Sequence, residues 1–289
     1  MAADLDRLTD DVLHALTEGA AATAPALSFL LRRYRATERA DVRDALEPAL
    51  ATALNQPFDE LTSADRAAFL TVFVEAAAVA DDARVLTVVS ALAADLRAAF
   101  EGATRVDESC AIVEACLAAA DVLDPRAIVP DAIDQLERVV AAAYRPGDGL
   151  AHDRRVPGGL RGQLEDHVRA ASALLTAYRA TARIPYAMLA EELMQCVRRT
   201  SWDDDAGVFV VAAGVCDDPF AANCAAARVW CRLACLHAED DYRAAAVIAP
   251  NAVYRADAAR ILESPSIVLA ARGMASATYG LALTEWLGL

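Results

Sequence analysis

Apolar residues recur at i, i+3, i+4 and i+7 through most of the chain, and this periodicity leaves packed α-helices as the natural outcome. Composition points the same way. The 289 residues are 56% hydrophobic but only 6% aromatic, and much of the apolar content is alanine. Alanine is the strongest helix former and allows close helix approach. Starts and stops predict about twelve helices, over 3–18, 24–37, 40–55, 62–80, 83–100, 106–123, 125–143, 163–181, 185–201, 219–238, 240–262 and 266–287. Thr62 ahead of Ser63 and Asp65 suits an N-cap with an acidic first turn, and Asp124-Pro125 places proline at a first helical position. Pro48 and Pro130 fall inside predicted helices as first-turn or kink positions, whereas Pro250 is expected to split its segment.

An internal repeat organises these helices. Leu30-Leu31-Arg32-Arg33-Tyr34-Arg35-Ala36-Thr37-Glu38-Arg39 and Leu174-Leu175-Thr176-Ala177-Tyr178-Arg179-Ala180-Thr181-Ala182-Arg183 agree at seven of ten positions, 144 residues apart. That offset is three units of about 48 residues, the size of a helical hairpin repeat. Turns near 38, 81, 124, 182 and 239 are very short, and connections near 56–62, 101–105, 144–162 and 202–218 are longer. Turns of one kind share one face of a hairpin array, so the long connections share the other, where function concentrates. About six hairpins with apolar character on both helices predict an all-α chain, an α/α toroid in a single domain over 1–289, in preference to an open solenoid. A small β-hairpin is expected near 208–212.

Charge and residue usage exclude several function classes. The formal net charge is −15, which disfavours nucleic acid and anionic membrane surfaces as partners. All 27 basic residues are arginine. Schiff-base lysine chemistry, P-loops and protein-kinase sites are therefore absent, and base composition or salt adaptation accounts for the bias. The start, acidic and amphipathic, does not read as a signal peptide, and no apolar run reaches membrane-spanning length. Seven cysteines amid alanine and leucine suit reduced, buried thiols, so a cytoplasmic location is expected.

Three segments hold the chemistry-bearing residues. Tyr144 to Arg169 contains His152, Arg155, Arg161 and the triplet Glu165-Asp166-His167 at a helix start. A carboxylate–histidine pair there can do general acid–base work, while the plain reading is a set of first-turn acids. These three are the candidate catalytic residues, with His152, Arg155 and Arg161 as candidate ligand contacts. Trp202 to Phe220 adds Trp202, Asp203 and Asp205, followed by Asn223, as further ligand contacts. Asp203, Asp205 and Gly207 resemble the start of a calcium loop, but Gly214 stands where the bidentate glutamate belongs. Cys216, Cys224, Cys231 and Cys235 with His237 lack zinc-site spacing and are expected as structural thiols. No metal and no cofactor are expected.

The second half of the chain resembles the helical region of thioredoxin-domain-containing proteins of the spermatogenesis-associated type, within the six-hairpin class shared with N-acylglucosamine 2-epimerases and several glycosidases. The resemblance rests on Asp148-Gly149-Leu150-Ala151-His152, on Leu164-Glu165-Asp166-His167 with Ala173-Leu174-Leu175 and Tyr178, and on Asp203-Asp204-Asp205-Ala206-Gly207-Val208-Phe209. Pro219 and Asn223, Asp240-Asp241-Tyr242-Arg243 and Ala277-Thr278-Tyr279-Gly280 continue it. It implies a toroid fold. The thioredoxin domain and its CxxC are missing, and the position of His167 is often tyrosine in that family.

Two functions are open at this point. The thin supply of histidine, tryptophan and tyrosine favours a non-catalytic or cryptic ligand-binding scaffold for a protein or a sugar-like small molecule. The alternative is a carbohydrate-active enzyme, epimerase-like or glycosidase-like, using carboxylates and histidine on the long-loop face. A toroid centre plugged by alanine and leucine would exclude catalysis there.

Overall fold

The computed structural model describes residues 2–79, 82–156, 158–211, 216 and 218–288. The protein is 73% helical, with fourteen α-helices among the described residues. They are α1 (Ala2–Thr17), α2 (Ala24–Thr37), α3 (Ala40–Leu54), α4 (Ser63–Ala77), α5 (Ala83–Ala98), α6 (Val106–Ala119) and α7 (Pro125–Ala143). There follow α8 (Leu164–Thr181), α9 (Ile184–Ser201), α10 (Pro219–Ala238), α11 (Asp240–Ala245), α12 (Tyr254–Glu263), α13 (Pro265–Ala270) and α14 (Ala275–Leu287).

Helices α2, α4, α6, α8, α10 and α14 each pack on the next, and α14 returns to α2. This closes an inner ring. Helices α1, α3, α5, α7, α9 and α12 lie against it as the outer ring. Sequence explains the division. The outer helix α7 buries one stripe, Ile128, Ala132, Ile133, Leu136, Val139 and Ala143, at helical spacing. The inner helix α6 buries Val106, Cys110, Ile112, Val113, Ala115, Cys116, Leu117 and Ala119, nearly all round its axis, as a helix covered on most sides must. At the closure, Gly280 of α14 lets the Phe29 ring of α2 approach so closely that a Cβ would sit 2.5 Å from it.

The repeat read from sequence has a backbone counterpart. Helices α2 and α8 lie opposite one another in the ring of six. Both end on a left-handed residue, Glu38 at φ 52° and Ala182 at φ 55°. The cap N–H donates to Tyr34 O at 2.8 Å in one and to Tyr178 O at 2.7 Å in the other. Thr62 caps α4 as expected, its Oγ1 accepting from Asp65 N, and Pro125 opens α7 as expected, with Asp124 accepting from Arg126 N.

The differences lie in the last quarter. The 240–262 segment is split into α11 and α12 around Pro250, as expected, whereas 266–287, expected as one helix, is divided into α13 and α14. Pro48 and Pro130 are accommodated within α3 and α7. Two antiparallel strand pairs occur. Tyr144–Arg145 (β1) pairs with Gly149–Leu150 (β2), and Trp202–Asp203 (β3) pairs with Val208–Phe209 (β4). The second is the hairpin expected near 208–212, shifted earlier; residue 212 lies outside the described residues. The first was not expected, because two-residue strands carry no usable alternation.

Candidate functional site on the long-loop face

The connections after α7 and α9 are built alike. Each opens with a two-residue strand pair whose return strand is preceded or begun by a left-handed glycine, Gly149 at φ 70° and Gly207 at φ 67°. In each, a side chain of the next inner helix seizes the returning strand. His167 of α8 accepts from Leu150 N at 3.2 Å through Nε2 and donates to Gln163 O at 2.7 Å through Nδ1. Asn223 of α10 accepts from Phe209 N at 2.8 Å and donates to Phe209 O at 3.0 Å and to Pro219 O at 2.9 Å. Gly149 is required twice over, since a Cβ there would lie 2.3 Å from His167 Nε2. Burial pushes the His167 imidazole down to about 4, so it is neutral with both nitrogens engaged.

Several other candidate residues also brace loops. Arg161 Nη2 donates to Ala143 O and Gly149 O, both at 2.7 Å, and Arg155 Nη2 donates to Glu101 O at 2.7 Å. Asp203 Oδ1 accepts from the backbone N–H of Asp205 and of Ala206, each at 2.9 Å, which makes it a turn residue, and Asp205 is exposed. Trp202 packs edge-on against Phe209 and Trp230, each with ring centroids 5.1 Å away, and the Arg260 guanidinium lies over its ring.

A different group converges at the start of α6 and α8. The fully buried Asp166 carboxylate receives His152 Nδ1 at 3.0 Å and the backbone N–H of Asp107 at 3.3 Å. Asp107, in the first turn of α6, is gripped by Arg105 through both oxygens, at 3.1 and 2.6 Å. The loop is fixed over the helix because Val106 N donates to His152 O at 2.9 Å and His152 N donates to Leu160 O at 2.8 Å. Ligand atoms of Asp107, His152 and Asp166 all lie within 4.8 Å of one another. Burial, reinforced by the charge of Asp107, raises the Asp166 carboxyl to about 6, against the opposing pull of His152. His152 is the open member of the group, with 33% of its side chain exposed. Glu165, half-buried, precedes Asp166 in the first turn of α8. Arg105 already engages both oxygens of Asp107, which offsets the negative charge the three residues could offer a cation.

Sequence reading brought His152, Glu165 and Asp166 to this place but missed Arg105 and Asp107. A signal existed: Asp107-Glu108 opens α6 as Glu165-Asp166 opens α8. Nothing in the sequence says that two first turns, 59 residues apart, meet across adjacent inner helices.

The centre of the toroid is not plugged by alanine and leucine. All six inner helices send polar side chains to a charged ring. Arg32 of α2 donates to Glu75 of α4 at 2.8 Å and to Glu285 of α14 at 3.0 Å. Arg228 of α10 donates to Glu285 at 2.8 Å. One turn on, Arg232 donates to Glu114 of α6 at 3.3 Å, and to Ser172 Oγ and Thr176 Oγ1 of α8, both at 2.9 Å. These arginines lie among the inner helices yet keep 35% and 31% of their side chains exposed, so they retain partial solvent contact. Desolvation holds the Arg232 guanidinium below its ordinary range. Asp107 and Glu114 are two helical turns apart on α6, which sets the ring about 10 Å below the His152 group.

The remaining features sit elsewhere. His237 is bound to the buried Glu191 at 2.7 Å, while Cys231 is buried and Cys235 exposed. Shallow cavities of about 370 Å³ beside Gln195 and Arg198, and about 420 Å³ beside Arg97 and Arg138, open on outer-ring helices. No helix among the described residues is long and apolar enough to cross a membrane.

No family model and no curated protein matches the sequence. Solved structures do match in fold. A GH76 α-mannanase of Bacteroides thetaiotaomicron superposes with a TM-score of 0.71 at 10% identity, covering 98% of this chain and 96% of that one. An unsaturated glucuronyl hydrolase specific for heparin gives 0.69 at 13% identity, over 100% and 98%. The GH76A α-1,6-mannanase of Salegentibacter sp. HEL1_6 gives 0.66 at 10%, over 98% and 99%. An inactive variant of the last, with two consecutive aspartates replaced by alanine, is known in complex with α-1,6-mannotetrose. At these identities the likeness is one of fold, an α/α toroid of helical hairpins. These neighbours lend the scaffold reading no support, and they do not include a thioredoxin-linked protein.

Proposed function

We propose that this chain is a carbohydrate-active enzyme whose acid–base group is His152, held by Asp166 at the mouth of the toroid. The observation that carries the reading is the pairing of an open imidazole with a fully buried carboxylate where two inner helices begin. The buried carboxylate fixes the orientation of the ring that exchanges the proton. Arg105 is bonded to both oxygens of Asp107, so Asp166 is the carboxylate left to partner His152. The neighbours' hydrolysis of glycosides supports a sugar substrate as an analogy of fold.

The group presented to solvent is an imidazole, whereas Asp166 is sealed and Asp107 is neutralised. Double-carboxylate glycosidase chemistry needs two open carboxyl groups about 5–9 Å apart across the substrate. This favours the epimerase-like form, in which His152 moves a proton at a sugar carbon. The test is to incubate the protein with neutral and acidic mono- and disaccharides in D2O and follow them by NMR. Turnover with solvent deuterium incorporated, lost in His152→Ala, is expected. Glycosidic cleavage without deuterium at carbon would return the assignment to a hydrolase, and turnover unaffected by His152→Ala would remove His152 from the reaction.

A further inference from the structure

Nothing in the His152 group explains why the axis below it should be lined with charge. The ring holds three arginines, Arg32, Arg228 and Arg232, and three glutamates, Glu75, Glu114 and Glu285. Their formal charges cancel. Several of its polar atoms are unspent. Among the described residues Arg228 Nη1, Arg232 Nε and Glu114 Oε2 make no hydrogen bond, and none of the three is among the sealed, unpartnered polar atoms. They therefore keep some solvent contact, whereas Glu75 Oε2 and Glu285 Oε2 of the same ring are sealed without a partner. Donors and acceptors alternate there without excess charge of either sign.

We infer that the axial ring is the sugar-gripping floor of this toroid and that it selects an uncharged, hydroxyl-rich ligand. The inference rests on the carbohydrate reading above and names the substrate class. A hydroxyl group both donates and accepts, so vicinal hydroxyls match a surface offering guanidinium N–H beside carboxylate oxygen. A uronate or phosphate finds no uncompensated cation here, because each arginine already has a glutamate partner. The chain's net charge of −15 adds a repulsive field against anionic ligands. The floor lies about 10 Å below His152, so a disaccharide-sized ligand reaches both.

The test is ligand-induced thermal stabilisation of the full-length protein with mannose, mannobiose, sorbitol, glucuronate and inorganic phosphate as probes. The neutral probes are expected to stabilise, and the two anions are not. Arg232→Gln should weaken neutral-ligand binding by about tenfold or more, the scale of a lost charge-assisted hydrogen bond. His14→Ala, on the exposed face of the outer helix α1, should leave binding intact. Glu114→Gln keeps the shape of the ring but gives it one net positive charge, so glucuronate should now bind, a gain that a merely structural ring would not produce. Stabilisation by glucuronate or phosphate in the unaltered protein, without the neutral probes, would overturn the neutral-ligand inference and leave the carbohydrate reading standing for acidic sugars. Absence of stabilisation by every probe would overturn both. Neutral binding unchanged in Arg232→Gln and Glu114→Gln would place the sugar elsewhere than the ring.

Discussion

His152 Nδ1 and Asp166 Oδ2 stand 3.0 Å apart, with the carboxylate buried and the imidazole open to solvent. Beside Asp166 in sequence, His167 is buried and neutral, holding the strand at Leu150. Adjacent residues on one helix turn thus have opposite electrostatic roles, and this sets a pH signature.

The Asp166 carboxyl is raised from 3.8 to about 6. Between those values the native state binds more protons than the unfolded one, so this group's stabilisation is complete below pH 4 and is lost as pH rises through 6. The His167 imidazole is lowered from 6.5 to about 4. Its contribution is complete above pH 6.5 and is lost as pH falls through 4. Each amounts to about 3 kcal/mol, and in the native sequence the two slopes oppose one another. Urea unfolding between pH 4 and 6.5 should show Asp166→Asn adding a rise in stability with pH and His167→Gln adding a fall. Parallel curves for the two variants would contradict these environments.

Glu38 and Ala182 close equivalent helices in the left-handed region, where a β-carbon is strained. Glu38→Gly and Ala182→Gly should each stabilise the protein by about 0.5–1 kcal/mol, the relief exceeding the added entropy of the unfolded chain. Differential scanning calorimetry of the single and double variants checks this. The sites lie on opposite sides of the ring, so the effects should add.

Glu285 joins the first hairpin to the last by accepting from both Arg32 and Arg228. Glu285→Ala leaves two arginines facing one another without their shared anion. A loss of about 2–3 kcal/mol in urea unfolding is expected, below the range for fully sealed pairs because these side chains keep some solvent access. Glu285→Gln should cost less, since its amide oxygen still accepts.

Asn223 satisfies both backbone groups of Phe209. Asn223→Ala strands a buried N–H and a buried C=O, at a cost of about 2–4 kcal/mol. The Trp202–Phe209–Trp230 cluster rests on that strand, so the variant should show red-shifted tryptophan emission before global unfolding. An unchanged spectrum and an unchanged Tm would mean that the strand is held by other contacts.

The sequence by itself determined the toroid. Period-3.6 apolar patterning, the repeat between Leu30–Arg39 and Leu174–Arg183, and alternating short and long connections are local or periodic properties, readable without knowing what packs on what. They specify hairpins of fixed length, and six such hairpins close. The same reading found the helix start that carries Glu165 and Asp166 and the loop that carries His152. Tertiary structure decided the roles. His167 and Asn223 carry no mark of being strand clamps, because their partners are backbone groups brought near by two tiny hairpins. Asp107 becomes the neighbour of Asp166 only when α6 and α8 stand side by side in the ring. The charged axis was the least legible feature: Arg32, Glu75, Glu114, Arg228, Arg232 and Glu285 each look like an ordinary polar residue on its own helix, and closure alone points them at a common centre.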